Sequence, residues 1–179
     1  MIKTVVLIDN GYLSKILKKC YREVRINYLL FSDNLCVGCT RFQTIIYDSM
    51  PYQSGFPTYD ERQRYARKYR YINKLEKLDR FTIKLGRCQR NPDGTFIQKG
   101  VDVEFALDLT EFANSKTIDK ALIVSGDSDF VPAVERANKL GLKTQNVYHP
   151  QQFSYHLRDT CLENRKIDQD LIDHSLLYL

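Results

Sequence analysis

The segment that most restricts how this chain can fold is Thr4-Val5-Val6-Leu7-Ile8, which Asp9 cuts off at once. Its β-branched residues favour extended backbone. The run has no polar alternation, so it reads as a strand covered on both faces, as strands of parallel sheets are. It is far shorter than the roughly 20 apolar residues of a membrane helix, and its early charge does not suit a signal peptide.

The same pattern recurs. Phe42 to Tyr47, Phe81 to Leu85, Lys120 to Val124 and Thr144 to Val147 read as further strands. Between them lie stretches of helical spacing. After an Asn10-Gly11 turn comes Tyr12 to Arg22, with Leu13, Ile16 and Leu17. Tyr59 to Leu78 carries Tyr65, Tyr69, Ile72, Leu75 and Leu78, and Val101 to Phe112 carries Val101, Phe105, Leu109 and Phe112. A further helix, capped by Ser128, has Pro132 in its first turn and ends at Gly141. Asn91-Pro92-Asp93-Gly94 reads as a hairpin tip. Residues 24–41 resist assignment, because Ser32-Asp33-Asn34 interrupts an apolar run; they suit either a dimer surface or core. The alternation predicts an α/β fold, a Rossmann-like three-layer sandwich with a mostly parallel central sheet. One domain over residues 1–179 is expected, with a core of about 3–150 and a helical tail from Gln151.

Sheets of this kind bind ligands beyond the carboxyl ends of their strands. Asp9 directly follows the first strand, and Asp127 and Asp129 follow the strand ending at Val124, in Ser125-Gly126-Asp127-Ser128-Asp129-Phe130. Asp102 opens a helix in Lys99-Gly100-Val101-Asp102. Each also has a plain structural use as a cap or a dipole partner. Together, however, four carboxylates at one sheet edge repel one another, and a bound dication relieves that repulsion. Oxygen donors without nearby His or Cys point to magnesium or manganese. Asp108 faces another way on its helix, as an outer group or a core salt-bridge partner. Gly100 and Gly126 either allow close approach to a phosphate or simply form turns.

At these residues the chain resembles a NYN domain of the LabA-like group, in the PIN-like nuclease superfamily. The matching pieces are Val5-Val6-Leu7-Ile8-Asp9-Asn10-Gly11, Lys99-Gly100-Val101-Asp102-Val103, and Leu122 through Pro132 around the SGDSDF motif. The resemblance implies Asp9, Asp102 and Asp127 as the principal metal-site acids. It adds Asp129 as a fourth, with Asn10 and Ser125 as supporting groups. It also implies a metal-dependent ribonuclease whose ion activates water for in-line attack, leaving a 5′-phosphate and a 3′-hydroxyl.

Lys and Arg number 27 against 22 Asp and Glu, a mild excess that suits a polyanionic partner. The expected substrate is RNA, single-stranded in preference to duplex. Its phosphates would meet Lys99, Arg87 and Arg90, and Arg64, Arg67 and Lys68 on a basic helix. That helix also carries Arg62, Arg70, Lys74 and Lys77, interleaved with Tyr65, Tyr69 and Tyr71, which either stack on bases or pack into the core. Two other readings are a non-catalytic RNA-binding or regulatory module and a metal-dependent phosphatase or nucleotidase. A homodimer is compatible with the sequence.

The five Cys are an odd number and suit reduced thiols, hence a cytoplasmic, non-membrane protein. Cys36-Val37-Gly38-Cys39 is a lone CxxC, without the second pair that a structural zinc site needs. His149 follows a strand end and faces either the site or the surface.

Overall fold

The computed structural model describes residues 1–177, and of Gln98 the backbone alone. In chain order its elements are β1 (Lys3–Asp9), α1 (Asn10–Cys20), α2 (Tyr28–Leu35), β2 (Thr40–Ser49), α3 (Tyr59–Leu75), β3 (Phe81–Arg90), β4 (Phe96–Lys99) and α4 (Val101–Ser115). There follow β5 (Lys120–Val124), a 3-10 turn at Ser128–Phe130, α5 (Val131–Lys139), β6 (Lys143–Tyr148), α6 (Tyr155–Thr160), β7 (Glu163–Lys166) and α7 (Gln169–Asp173).

The strands form one sheet in the order β4-β3-β2-β1-β5-β6-β7. Every neighbouring pair is parallel except β3 with β4. β1 is the centre: β2 leaves it on one side and β5 returns on the other, so the strand order reverses there. That reversal opens a crevice beyond the carboxyl ends of β1 and β5.

Successive side chains of a strand point to opposite faces, and β1 supplies two cores accordingly. Val6 and Ile8 pack under α1, α2, α3 and α7, with Leu13, Phe31, Leu75 and Ile172. Val5 and Leu7 pack under α4, α5 and α6, with Phe105, Leu109, Val134 and Leu157. The expected three-layer α/β sandwich is present.

Four local expectations are corrected. Asn10-Gly11 is the first turn of α1, because the Asp9 carboxylate caps that helix by accepting from the Tyr12 backbone N–H. The unassigned segment forms α2 and puts Tyr28, Phe31 and Leu35 into the core. Its polar residues do not break it, because Asp33 pairs with Arg41 and Asn34 donates to the His174 carbonyl. Ser128 does not cap α5, which has no side-chain cap; Asp127 caps the 3-10 turn through the Asp129 N–H. The segment from Gln151 is not purely helical, since β7 pairs with β6 and extends the sheet. Its sequence, Glu163-Asn164-Arg165-Lys166, lacks the apolar run that marks the inner strands, as a solvent-facing edge strand allows.

Candidate active site

The carboxyl ends of β1 and β5 meet through Ser125. Its hydroxyl donates to Asp9 Oδ2 at 3.0 Å and accepts from the Asp127 backbone N–H at 3.1 Å. Buried Asn146, on β6, donates to the carbonyls of Ile123 and Ser125 at 3.1 and 2.9 Å, which fixes the end of β5. Beside this, Gly126 lies against the ring of Tyr12: a Cβ there would stand 2.6 Å from Tyr12 Cε2. The Tyr12 hydroxyl in turn donates to the Gln152 carbonyl at 2.6 Å and accepts from the His149 N–H at 2.9 Å. Gly126 therefore serves close packing, whereas Gly100 takes a left-handed conformation, φ 87°, ahead of α4.

The four sequence-predicted acids stand in two neighbouring hollows. Asp9 and Asp127 line one with Gly11, Tyr12 and Lys15. Asp102, in the first turn of α4, and Asp129 line the other, between α4 and α5. The groups sense one another across that distance. Burial raises the Asp9 carboxyl above its ordinary value, and the charges of Asp102 and Asp127 raise it further. Burial raises Asp102 as well, followed by repulsion from Asp127 and Asp129. None of the four forms an ion pair among the described residues.

In donor chemistry the site fits a hard dication: oxygen ligands on carboxylates that form no ion pair, with Lys15 in one hollow and Arg136 in the other. In arrangement it is not a closed ligand set, for among the described residues no three His, Cys, Asp or Glu side chains are gathered as metal ligands. Asp9 and Asp127 each spend one carboxylate oxygen on a helix or turn cap.

Asn10 and Asp48 form a second polar centre on the other face of the sheet. Asn10, fully within the core, donates to Asp48 Oδ2 and accepts from the Tyr28 hydroxyl at 2.6 Å. Lys68 of α3 also donates to Asp48 Oδ2. Lys68 is therefore the counter-ion of a buried aspartate rather than an open phosphate ligand. Asp48 was not foreseen. Its only sequence signal is position, at the end of a strand beside the one carrying Asp9. Arg64 and Arg67 remain exposed and line a hollow of about 390 Å³ with Asp48, Ser49 and Lys68.

Asp108 belongs to neither hollow. It is buried under α4, accepting from the Tyr47 hydroxyl and from Lys84, both at 2.6 Å. This is the core salt-bridge role. Arg87, Arg90 and Lys99 all line a groove of about 690 Å³ along the β3–β4 hairpin, reaching Gly100 and Glu104. Of the α3 tyrosines, Tyr71 packs on the core, Tyr65 is half-buried and Tyr69 is exposed. His149 lies edge-on to Tyr21 at 5.4 Å, which makes it a packing group. The Cys36 thiol is buried and pushed up to about 12 by that burial, a poor state for redox or metal chemistry.

A Rossmann-like sheet with an acidic crevice at its switch point is the architecture of PIN-like domains. The comparisons agree: residues 3–168 match the NYN domain family, and the chain belongs to it. A solved protein of unknown function from Vibrio parahaemolyticus is similar in fold, with a TM-score of 0.69 and 22% identity over 98% of this chain and 96% of that one. No curated protein matches. Membership places the chain in the PIN-like nuclease superfamily. Among the described residues, no helix is long and apolar enough to cross a membrane.

Proposed function

We propose that this NYN domain is a metal-dependent endoribonuclease acting on single-stranded RNA with Mg²⁺ or Mn²⁺. The observation that carries the reading is electrostatic. Asp9 and Asp102 are held with carboxyls raised by burial and by neighbouring aspartates, at a sheet switch point, without a cationic partner among the described residues. Such an arrangement destabilises the fold unless a ligand compensates it, and a functional site is where that trade is made.

Asp9 and Asp127 would hold the ion, with Asp102 and Asp129 completing the site from the second hollow. A hard dication bound there would supply Lewis acidity toward a water and the leaving oxygen. The protein's own part is orientation and grip. Ser125 fixes the Asp9 carboxylate and the start of the Asp127 turn through two hydrogen bonds. Arg87, Arg90 and Lys99 on the hairpin, and Arg64 and Arg67 on α3, neutralise backbone phosphates on either side.

The test is cleavage of end-labelled single-stranded RNA in Mn²⁺, Mg²⁺ or EDTA, beside Asp127→Asn. Metal-dependent cleavage that falls at least a hundredfold in the variant is expected. Equal cleavage in EDTA, or by the variant, refutes the mechanism. The division of the acids between two hollows favours one competing reading, a module that binds RNA without cutting it. Binding without turnover in either metal would establish that reading.

A further inference from the structure

The β3–β4 hairpin carries an aromatic pair that neither core uses. Phe96 is 57% exposed on the edge strand β4. Its ring lies 5.3 Å from that of Tyr52, tilted by 48°, and Tyr52 belongs to the loop after β2. Neither ring joins the two core clusters, so burial does not account for them. An exposed aromatic on an open sheet edge is a liability for a protein that gives it no ligand.

A cation stands beside it: Phe96 lies opposite Arg90 in the ladder and shares its face of the hairpin, whereas the Arg87–Lys99 pair, three residues along each strand, projects from the other face. Tyr52, Arg87, Arg90 and Lys99 line the same groove, which runs to Gly100, two residues before Asp102. Among the described residues none of these three cations forms an ion pair. Glu104, an acid on the groove, is paired with Lys84 at 3.1 Å. An aromatic face beside one unneutralised guanidinium, with two further cations along the adjoining groove, suits a ligand with both π faces and phosphates. In an RNA duplex those base faces are covered by stacking, whereas in a single strand they are open.

We infer that Tyr52 and Phe96 form a stacking platform for an unpaired nucleobase of an RNA strand, whose adjoining phosphate Arg90 holds while Arg87 and Lys99 draw the strand along the groove. The platform would fix the strand beside the acidic crevice. The nature of the ligand rests on the nuclease reading given above, but the platform itself is tested by binding, without turnover.

The experiment measures fluorescence anisotropy of a labelled 12-nucleotide RNA in EDTA. The probe is compared with an oligonucleotide of the same length whose central nucleotides lack bases, so that charge is equal and only stacking differs. The protein is expected to bind the base-bearing strand about tenfold tighter or more, in line with the strength of base–aromatic stacking. Phe96→Ala and the double variant Tyr52→Ala/Phe96→Ala should remove most of that preference while leaving affinity for the abasic strand within about twofold. Tyr52→Phe should keep the preference. Equal affinity of the native protein for the two strands, or no binding of either, overturns the proposal without reliance on any variant's folding. A variant that weakens both strands equally overturns it too. A protein that shows the base preference but never cleaves RNA in Mn²⁺ supports the platform and refutes the nuclease reading.

Discussion

At Asp9 the fold holds a carboxylate in surroundings that disfavour its charge. Burial first, and then Asp102 and Asp127, raise its carboxyl above the ordinary value of 3.8. Its contribution to stability is therefore fully present below that pH and is lost as the pH climbs through the raised value. Asp9→Asn keeps one oxygen for the Tyr12 N–H, replaces the oxygen that accepts from Ser125 with an NH2 group, and removes the charge. In EDTA the variant should melt at or above the native temperature at pH 7, with a shallower loss of stability from pH 4 upward. Parallel pH profiles for the two proteins, followed by circular dichroism, would show that the site is not strained in this way. Tyr47 offers a contrasting case. Its hydroxyl satisfies one oxygen of buried Asp108, and Lys84 satisfies the other. Tyr47→Phe leaves that oxygen without its partner and should cost about 1–3 kcal/mol, measured by urea denaturation, with RNA cleavage at saturating substrate little changed. Asp9 was readable from sequence because a charge directly after a buried strand has few other places to be. The duty of Asp108 was not, since choosing between salt bridge and site requires knowing that Lys84 and Tyr47 lie beneath α4.

The β3–β4 hairpin is the element whose placement most affects the proposed RNA path. It rises past the end of β2, whose register with β3 stops at Ser49 and Gly86. Gly86 makes the return of the chain possible: a Cβ there would stand 2.2 Å from Val101 Cγ2 and 2.8 Å from the Lys99 carbonyl. Gly86→Ala should therefore displace the start of α4 and with it Asp102. A loss of about 1–3 kcal/mol is expected, together with a fall in cleavage larger than that of a surface control such as Glu135→Ala. Retention of full stability and full activity would show that the hairpin yields freely. The turn at its tip was legible from Asn91-Pro92-Asp93-Gly94. The reach of β3 to Arg90 was not, because its outer residues alternate charge and polarity where strands inside the sheet are apolar. Helix α2 escaped for the opposite reason. Ser32, Asp33 and Asn34 look like a breaker, yet Ser32 is buried and the other two bond to residues outside the helix, so contacts beyond the helix override local propensity.

Across the whole molecule, the last part of the chain is structural. Leu157 and Cys161 join one core, Ile167, Leu171 and Ile172 join the other, and β7 covers β6. A chain ending at Pro150 would lose those five side chains and bare a parallel strand edge. It should be insoluble or lack a cooperative melt, and a soluble, cooperatively folded fragment would contradict this. Metal binding has a whole-molecule signature as well. A dication that binds only the folded state at a hundred times its dissociation constant adds about 2.7 kcal/mol. Millimolar Mn²⁺ should accordingly raise the melting temperature by several degrees, and Asp127→Asn should abolish most of that rise. Equal shifts in both proteins would place the ion elsewhere.

The sequence by itself determined the layered α/β architecture, because doubly covered strands and helical spacing are local patterns written in consecutive residues. It also marked Asp9, Asp102, Asp127 and Asp129, since carboxylates beside buried strands and helix starts stand out along the chain. Only the tertiary structure decided how those acids are shared between two hollows, that Lys68 neutralises Asp48, and that Tyr52 meets Phe96. Each of these joins residues far apart in sequence, and such a contact exists only once the sheet has set the distance between them.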